Sequence, residues 1–174
     1  MTVLVRPMTL ADCDRVAEIR IGGWRSAYRG LMPQSHLDGL SVTEDAARHR
    51  TRFAAADGSA LDLVAERAGE VVGWACHGPY RDGEVRTADA ELYAIYVDPA
   101  HYGDGIGQSL LDESVRRCTA ARHPRMLLWV LKDNARARRF YEQAGFHADG
   151  TEEPYEVAGV PVPEVRYVRE LAAA

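Results

Sequence analysis

The segment Glu91–Cys118, ELYAIYVDPAHYGDGIGQSLLDESVRRC, constrains the fold more than any other part of the chain. Glu91 to Val97 is rich in Leu, Tyr, Ile and Val, the composition of a buried strand. Asp98-Pro99 ends it, because proline cannot donate to a sheet ladder and biases the preceding residue away from helix. From Gly105 onward Ile106, Leu110, Leu111, Val115 and Cys118 recur at helical spacing and form one apolar face. Between the two lies Gly103-Asp104-Gly105-Ile106-Gly107, a backbone with few side chains at the mouth of a helix. The first-turn N–H groups of a helix have no intrahelical acceptor and sit at the positive end of its dipole. Small residues there let a phosphate approach several amides at once. A glycine-rich turn that only closes a strand-to-helix connection has the same composition, so the cluster alone does not separate the two. Two phosphate loops are excluded. No Gly-Lys-Ser/Thr follows, and the third glycine of a G-x-G-x-x-G pattern falls one residue early.

A second strand-and-helix stretch, Met126 to Phe146, reads MLLWVLKDNARARRFYEQAGF. Met126 to Leu131 is apolar, and Asp133 or Asn134 can cap the helix that follows. Ala137, Phe140, Tyr141 and Ala144 share a face, and Gly145 is placed to end the helix. Together the two stretches resemble the GCN5-related N-acetyltransferase (GNAT) family. Gly105 and Gly107 match the small positions of its Gln/Arg-x-x-Gly-x-Gly/Ala motif, with Tyr102 where Gln or Arg is usual. Asn134, Ala137, Phe140, Tyr141, Glu142, Gly145 and Phe146 match its second motif in register. The resemblance runs from about residue 3 to the last strand and implies one N-acetyltransferase domain over residues 1–174.

The remaining chain supplies the elements that such a fold needs. Val3 to Val5 reads as a first strand, and Thr9 or Asp12 can cap a helix running to about Tyr28. His36–Leu40 and Glu44–Ala56 read as helical pieces. Leu61–Arg67 and Val71–Tyr80 form a hairpin across Ala68-Gly69-Glu70, and Arg81 to Thr87 is a polar turn before the central strand. Glu164–Leu171 alternates like a terminal strand, while Pro154 to Pro163 reads as an irregular connection. This order matches the family's α/β fold: a mixed, mostly antiparallel sheet of about seven strands with helices on both faces.

Composition narrows the function. A net charge of −5 with no basic run argues against nucleic acid, and no apolar run approaches a membrane span. Cys13, Cys76 and Cys118 are well separated and fit reduced thiols in a cytoplasmic protein. Neither they nor the six histidines have metal-ligand spacing, so no metal is expected. Cys76 and His77, adjacent on a strand, point to opposite faces and cannot form a catalytic pair.

What the resemblance implies for the site is specific. Acetyl-CoA is the cosubstrate. Its pyrophosphate lies against Gly103, Asp104, Gly105, Ile106, Gly107 and Gln108, its pantetheine against the backbone of Ile95, Tyr96 and Val97, with Asn134 hydrogen-bonded to the same arm. Tyr141 matches the family's general acid. Glu91 matches the glutamate that some branches carry as general base, and a solvated strand-end carboxylate is the competing reading. A base is needed because an alkyl amine has a pKa near ~10.4 and is almost wholly protonated at neutral pH. Trp24 and Tyr28 either pack the first helix on the sheet or contact the acceptor, as the family's first helix does. The acceptor is a primary amine of a small molecule or peptide, and the resemblance also implies a homodimer through the terminal strands. Two alternatives stand beside this: a protein N-terminal acetyltransferase, and an acyl-CoA-binding sensor without turnover.

Overall fold

The computed structural model describes residues 2–171. In chain order the elements are β1 (Val3–Pro7), α1 (Cys13–Ala27), α2 (Gln34–Asp38), α3 (Val42–Ala54), β2 (Leu61–Arg67) and β3 (Glu70–Asp82). They continue with β4 (Val85–Val97), α4 (Ile106–Ala120), β5 (Arg125–Leu131), α5 (Ala135–Gln143), β6 (His147–Val157) and β7 (Val160–Glu170). The strands form one seven-stranded sheet in the order β1-β2-β3-β4-β5-β7-β6. Only β4 and β5 are parallel, joined by a crossover through α4 as parallel neighbours require. The mixed sheet with helices on both faces is the architecture that the two motifs imply.

Each face buries a separate core. On one, Ile106, Leu110, Leu111 and Cys118 of α4 and Tyr141 of α5 pack on Leu63, Ala75, Leu92, Leu128 and Tyr167. On the other, Cys13, Val16 and Ile19 of α1 pack on Val64, Trp74 and Cys76. A third cluster joins the end of α1 to the β6–β7 hairpin through Trp24, Met32, Leu37, Leu131, Val157 and Val162. Cys76 and His77 do part to opposite faces: Cys76 joins the α1 core, and His77 Nδ1 meets Ser114 Oγ of α4 at 3.1 Å.

Two expectations need correction. Arg81 to Thr87 is not a loop: β3 and β4 run on until only Gly83 and Glu84 turn between them, with Gly83 at φ +62°. Pro154 to Pro163 is not irregular either. It is most of the β6–β7 hairpin, turning at Ala158 and Gly159, whose φ values of +49° and +78° suit the tight turn of twisted strands. The prolines are accommodated by position. Pro154 lies on β6, the sheet edge, and Pro161 and Pro163 lie on the stretch of β7 beyond Glu164, which pairs with Leu131 at the end of β5. A proline's missing N–H costs nothing where no strand waits for it.

Candidate active site

The parallel pair β4–β5 is the origin of the site. Its register holds only at Ala90↔Met126 and Glu91↔Leu127, after which the strands separate. From Leu92 to Val97, β4 is paired with β3 on one side and has no strand on the other. Into this gap opens a groove of about 770 Å³, bounded by α1, β4, α4, β5, α5 and the β6–β7 hairpin.

A bulge decides which side chains of β4 enter it. Cys76 pairs with Ala94 and His77 with Leu92, so Tyr93 is one residue more than β3 can match. Strict alternation would set Glu91 on the face of Ile95 and Val97. With the bulge, Leu92, Ile95 and Val97 all pack on the α4 side, whereas Ala94 and Tyr96 turn towards α1. Glu91, between the α4-side residues Ala90 and Leu92, therefore shares the face of Tyr96.

At one end of the groove lies the mouth of α4. Gly103 and Gly105 have φ values of +90° and +78°, and a Cβ built on either would meet nothing within 4 Å. The cradle is left open by the absence of side chains. Ser109 N–H makes the first helical bond, to Gly105 at 3.0 Å, so the amides of Ile106, Gly107 and Gln108 have no intrahelical acceptor. This arrangement fits a pyrophosphate. Arg136 of α5 stacks over the Tyr102 ring at 4.0 Å and brings a guanidinium to the same wall. Asp104 is not part of the groove: its carboxylate turns to Arg67 and lies 3.4 Å from His101 Nδ1. The Gln108 side chain also turns away, donating to Asp112 at 2.7 Å, which leaves its backbone as the group facing the cradle.

The middle of the groove holds Asn134 and Tyr141. Asn134 caps α5, its Oδ1 accepting from Ala137 N–H at 3.1 Å. Tyr141 is 9% exposed, wedged edge-on between Phe140 and Phe146. Its hydroxyl has no hydrogen-bond partner among the described residues, and burial pushes its pKa above the ordinary phenol value, with a smaller push from Tyr96. The phenol keeps its proton at neutral pH.

The far end is aromatic and acidic. The Tyr96 hydroxyl accepts from Trp24 Nε1 at 2.8 Å and lies 3.2 Å from the Tyr28 hydroxyl, so Trp24 of α1 and Tyr28 just past its end form one wall through a β4 side chain. Arg20 stacks on Trp24 at 4.8 Å and is held by Asp45 at 2.8 Å. Glu91 faces this chamber together with Trp129, Tyr155 and Glu164. Desolvation first, then repulsion from Glu164 and Glu153, pushes the Glu91 carboxyl up to about 7. Desolvation and Glu153 do the same to Glu164, also to about 7. Glu91 is half-buried against the groove and is not a freely solvated strand end.

The groove thus gathers Glu91, Ile95, Tyr96, Val97, Gly103, Gly105, Ile106, Gly107, Gln108, Asn134, Tyr141, Trp24 and Tyr28, and leaves out Asp104. Sequence reading missed Arg136, Trp129, Tyr155 and Glu164. For Arg136 a signal existed: it lies two residues past the helix cap, opposite the position where Tyr102 departs from the motif. For Tyr155 there was none, since its stretch read as an irregular connection, and Glu164 read only as the first residue of the terminal strand, with nothing in the sequence to bring it to the groove.

Comparison with known proteins gives the same reading. A family model described as "Acetyltransferase (GNAT) family" matches residues 24–146. The chain is 28% identical over 163 residues to the uncharacterized N-acetyltransferase YuaI of Bacillus subtilis, covering 94% of this chain and 90% of that protein. Its fold is similar to that of the PaiA N-acetyltransferase of Thermoplasma acidophilum in complex with coenzyme A, with a TM-score of 0.77 and 18% identity over 98% of this chain and 99% of that one. It is also similar to that of yncA of Salmonella typhimurium with its cofactor acetyl-CoA, with a TM-score of 0.74 and 21% identity over 100% of this chain and 96% of that one. With a family model spanning most of its length, and with its motifs folded into one groove, the chain belongs to the GNAT family of acetyltransferases and is an acyltransferase.

Proposed function

We propose that the chain transfers the acetyl group of acetyl-CoA directly to a primary amine of a small molecule or peptide. One observation carries this reading: the open cradle of α4, the unpaired edge of β4, Tyr141 and Glu91 all line a single groove. That proteins of the same fold hold coenzyme A or acetyl-CoA supports it.

Acetyl-CoA, when bound, supplies an acyl group already activated as a thioester. The amides of Ile106, Gly107 and Gln108 would hold its pyrophosphate, and Arg136 would add the positive charge that Tyr102 cannot. The β4 edge from Leu92 to Val97 would take the pantetheine arm as an added strand, and its amides would polarise the thioester carbonyl. Asn134 has its Oδ1 engaged in the α5 cap, which leaves Nδ2 for the same arm.

The acceptor amine enters from the chamber walled by Trp24, Tyr28 and Tyr96. Glu91 is its general base. A carboxyl pushed up to about 7 is still substantially ionised at neutral pH yet basic enough to take an ammonium proton, directly or through water. Tyr141 returns a proton to the departing sulfur, whose thiol pKa resembles the ~8.5 of free cysteine. No covalent acyl-enzyme is required, because two substrates held in one groove react directly. The three buried free thiols support a reducing, cytoplasmic setting.

The test is acetyl-CoA-dependent thiol release across a panel of small amines, aminoglycosides and peptides with free amino termini, with acetyl-CoA binding recorded in parallel. Release with small amines is expected. Release with peptides alone would make the protein an N-terminal acetyltransferase, and binding without any release would make it a sensor.

A further inference from the structure

The acceptor end of the groove carries more negative charge than one general base needs. Glu153 and Glu164 are direct cross-strand partners on β6 and β7, so their side chains stand on the same face of the sheet. Like charges in that arrangement repel, and the cost is tolerated here within reach of a third carboxylate, Glu91. Among the described residues none of the three has a basic side chain within ion-pair distance. The cations nearby are already engaged: Arg20 with Asp45 at 2.8 Å, Arg166 with Asp149 at 2.7 Å, and Lys132 with Glu152 at 2.9 Å. The chamber therefore presents a surplus of carboxylates, and it is not a solvated surface, because Glu91 and Glu164 are half-buried and line the groove.

The walls around these carboxylates are aromatic. Trp129 lies on β5 between the partners of Glu91 and Glu164, with Arg166 over its ring at 5.8 Å, and Tyr155 projects from the β6 edge beside Glu153. Ring faces attract organic cations, and attract them more as water is excluded. An anionic acceptor would be repelled, and a neutral one would leave Glu164 and Glu153 repelling each other. One ammonium at Glu91 would relieve only part of the crowding.

Resting on the acetyl-transfer reading, we infer that the acceptor is a small alkyl di- or polyamine: one nitrogen at Glu91 is acetylated, while a second, still protonated, is held by Glu164 and Glu153 against Trp129 and Tyr155. The new N–C bond replaces the C–S bond. The ammonium gives up two protons: Glu91 passes the first to solvent before attack, and the second, leaving the acylated nitrogen through water, restores the Tyr141 phenol that has protonated the departing sulfur. The second ammonium takes no part in the chemistry.

The test compares 1,4-diaminobutane with n-butylamine, which has the same carbon chain but one charge, at fixed pH and ionic strength. Two quantities are read: kcat/KM with acetyl-CoA, and calorimetric binding to the protein in the presence of CoA. The diamine is expected to bind about 10-fold or more tightly than the monoamine, the factor that a single added charge contact of moderate strength supplies. In Glu164→Gln and in Glu153→Gln that ratio should fall towards one; Glu153 is exposed, so its variant tests the idea without disturbing the fold. Equal binding of the two amines, or a diamine preference unchanged in both variants, would overturn the inference. Because binding is read separately from turnover, a diamine preference without acetyl transfer would count against the proposed reaction and not against the dicationic ligand.

Discussion

At the scale of single residues, Glu91, the proposed base, shows how surroundings set the proton affinity of an ordinary carboxyl. The strand and the bulge at Tyr93 deliver it to a half-buried chamber, and the chamber sets its proton affinity. Desolvation is the larger cause of its shift to about 7 and Glu164 the next. Repulsion from Glu164 is one cause of the Glu91 shift, so the acidic limb of the pH–rate profile should respond to both carboxylates. With a monoamine acceptor, kcat/KM should rise through an apparent pKa near 7. Glu164→Gln should move that limb to lower pH, though not down to the ordinary carboxylate range, because desolvation remains. Glu91→Gln should lower kcat/KM by ~10²-fold or more, the usual worth of a positioned base. A limb that stays in place in Glu164→Gln would separate the two carboxylates, and an unaltered profile in Glu91→Gln would remove Glu91 as the base.

The element that matters most is the turn into α4, and its two glycines do different work. Gly105 is at φ +78°, a region that L-residues enter only with strain, and its missing Cβ faces the open cradle. Gly107 is helical, and a Cβ there would meet Phe140 at 3.5 Å, an ordinary contact. This explains why the family motif accepts alanine at the second small position and not at the first. Gly105→Val should therefore weaken acetyl-CoA binding strongly, whereas Gly107→Ala should leave affinity within a few-fold of wild type, both read by calorimetry. Equal losses in the two variants would mean that the turn acts through helix stability alone. This turn was legible in the sequence because it depends on residues adjacent in the chain. The β6–β7 hairpin was not. Its prolines read as breakers, and only the strand order shows that they fall at an edge and beyond the end of β5. The bulge at Tyr93 was illegible for a similar reason: the mismatch exists only against β3, and nothing in ELYAIYV marks it.

Across the whole molecule, buried ionisable groups pull stability in opposite directions with pH. Glu91 and Glu164 are raised to about 7, so the native state keeps protons that the unfolded chain releases above its ordinary carboxylate pKa. Their contribution is present below that value and is lost as pH rises through about 7. His77, buried against Ser114, is lowered to about 4 by desolvation first and by Arg117 and His123 next. Its contribution is present above the ordinary histidine pKa of 6.5 and is lost as pH falls towards about 4. Where the windows overlap the slopes oppose, and above them only the carboxylates act. Replacing Glu91 and Glu164 by Gln together should reduce the loss of melting temperature between about pH 5 and pH 8. An unchanged pH dependence would mean that the pair is solvated in solution.

The groove joins parts drawn from residues 20 to 164, and the sequence motifs account for its cofactor side far better than its acceptor side. The motif side is built from two contiguous strand–helix units. The acceptor side is assembled from α1, the bulged strand and the terminal hairpin, whose meeting is a property of topology. The central claim is that this groove performs acetyl transfer with Tyr141 as the acid. Its most direct test is thiol release by Tyr141→Phe against wild type, with acetyl-CoA affinity measured on both. Removing one hydroxyl should lower kcat by ~10²-fold or more while acetyl-CoA affinity stays close to wild type. Wild-type turnover in Tyr141→Phe would contradict the assignment.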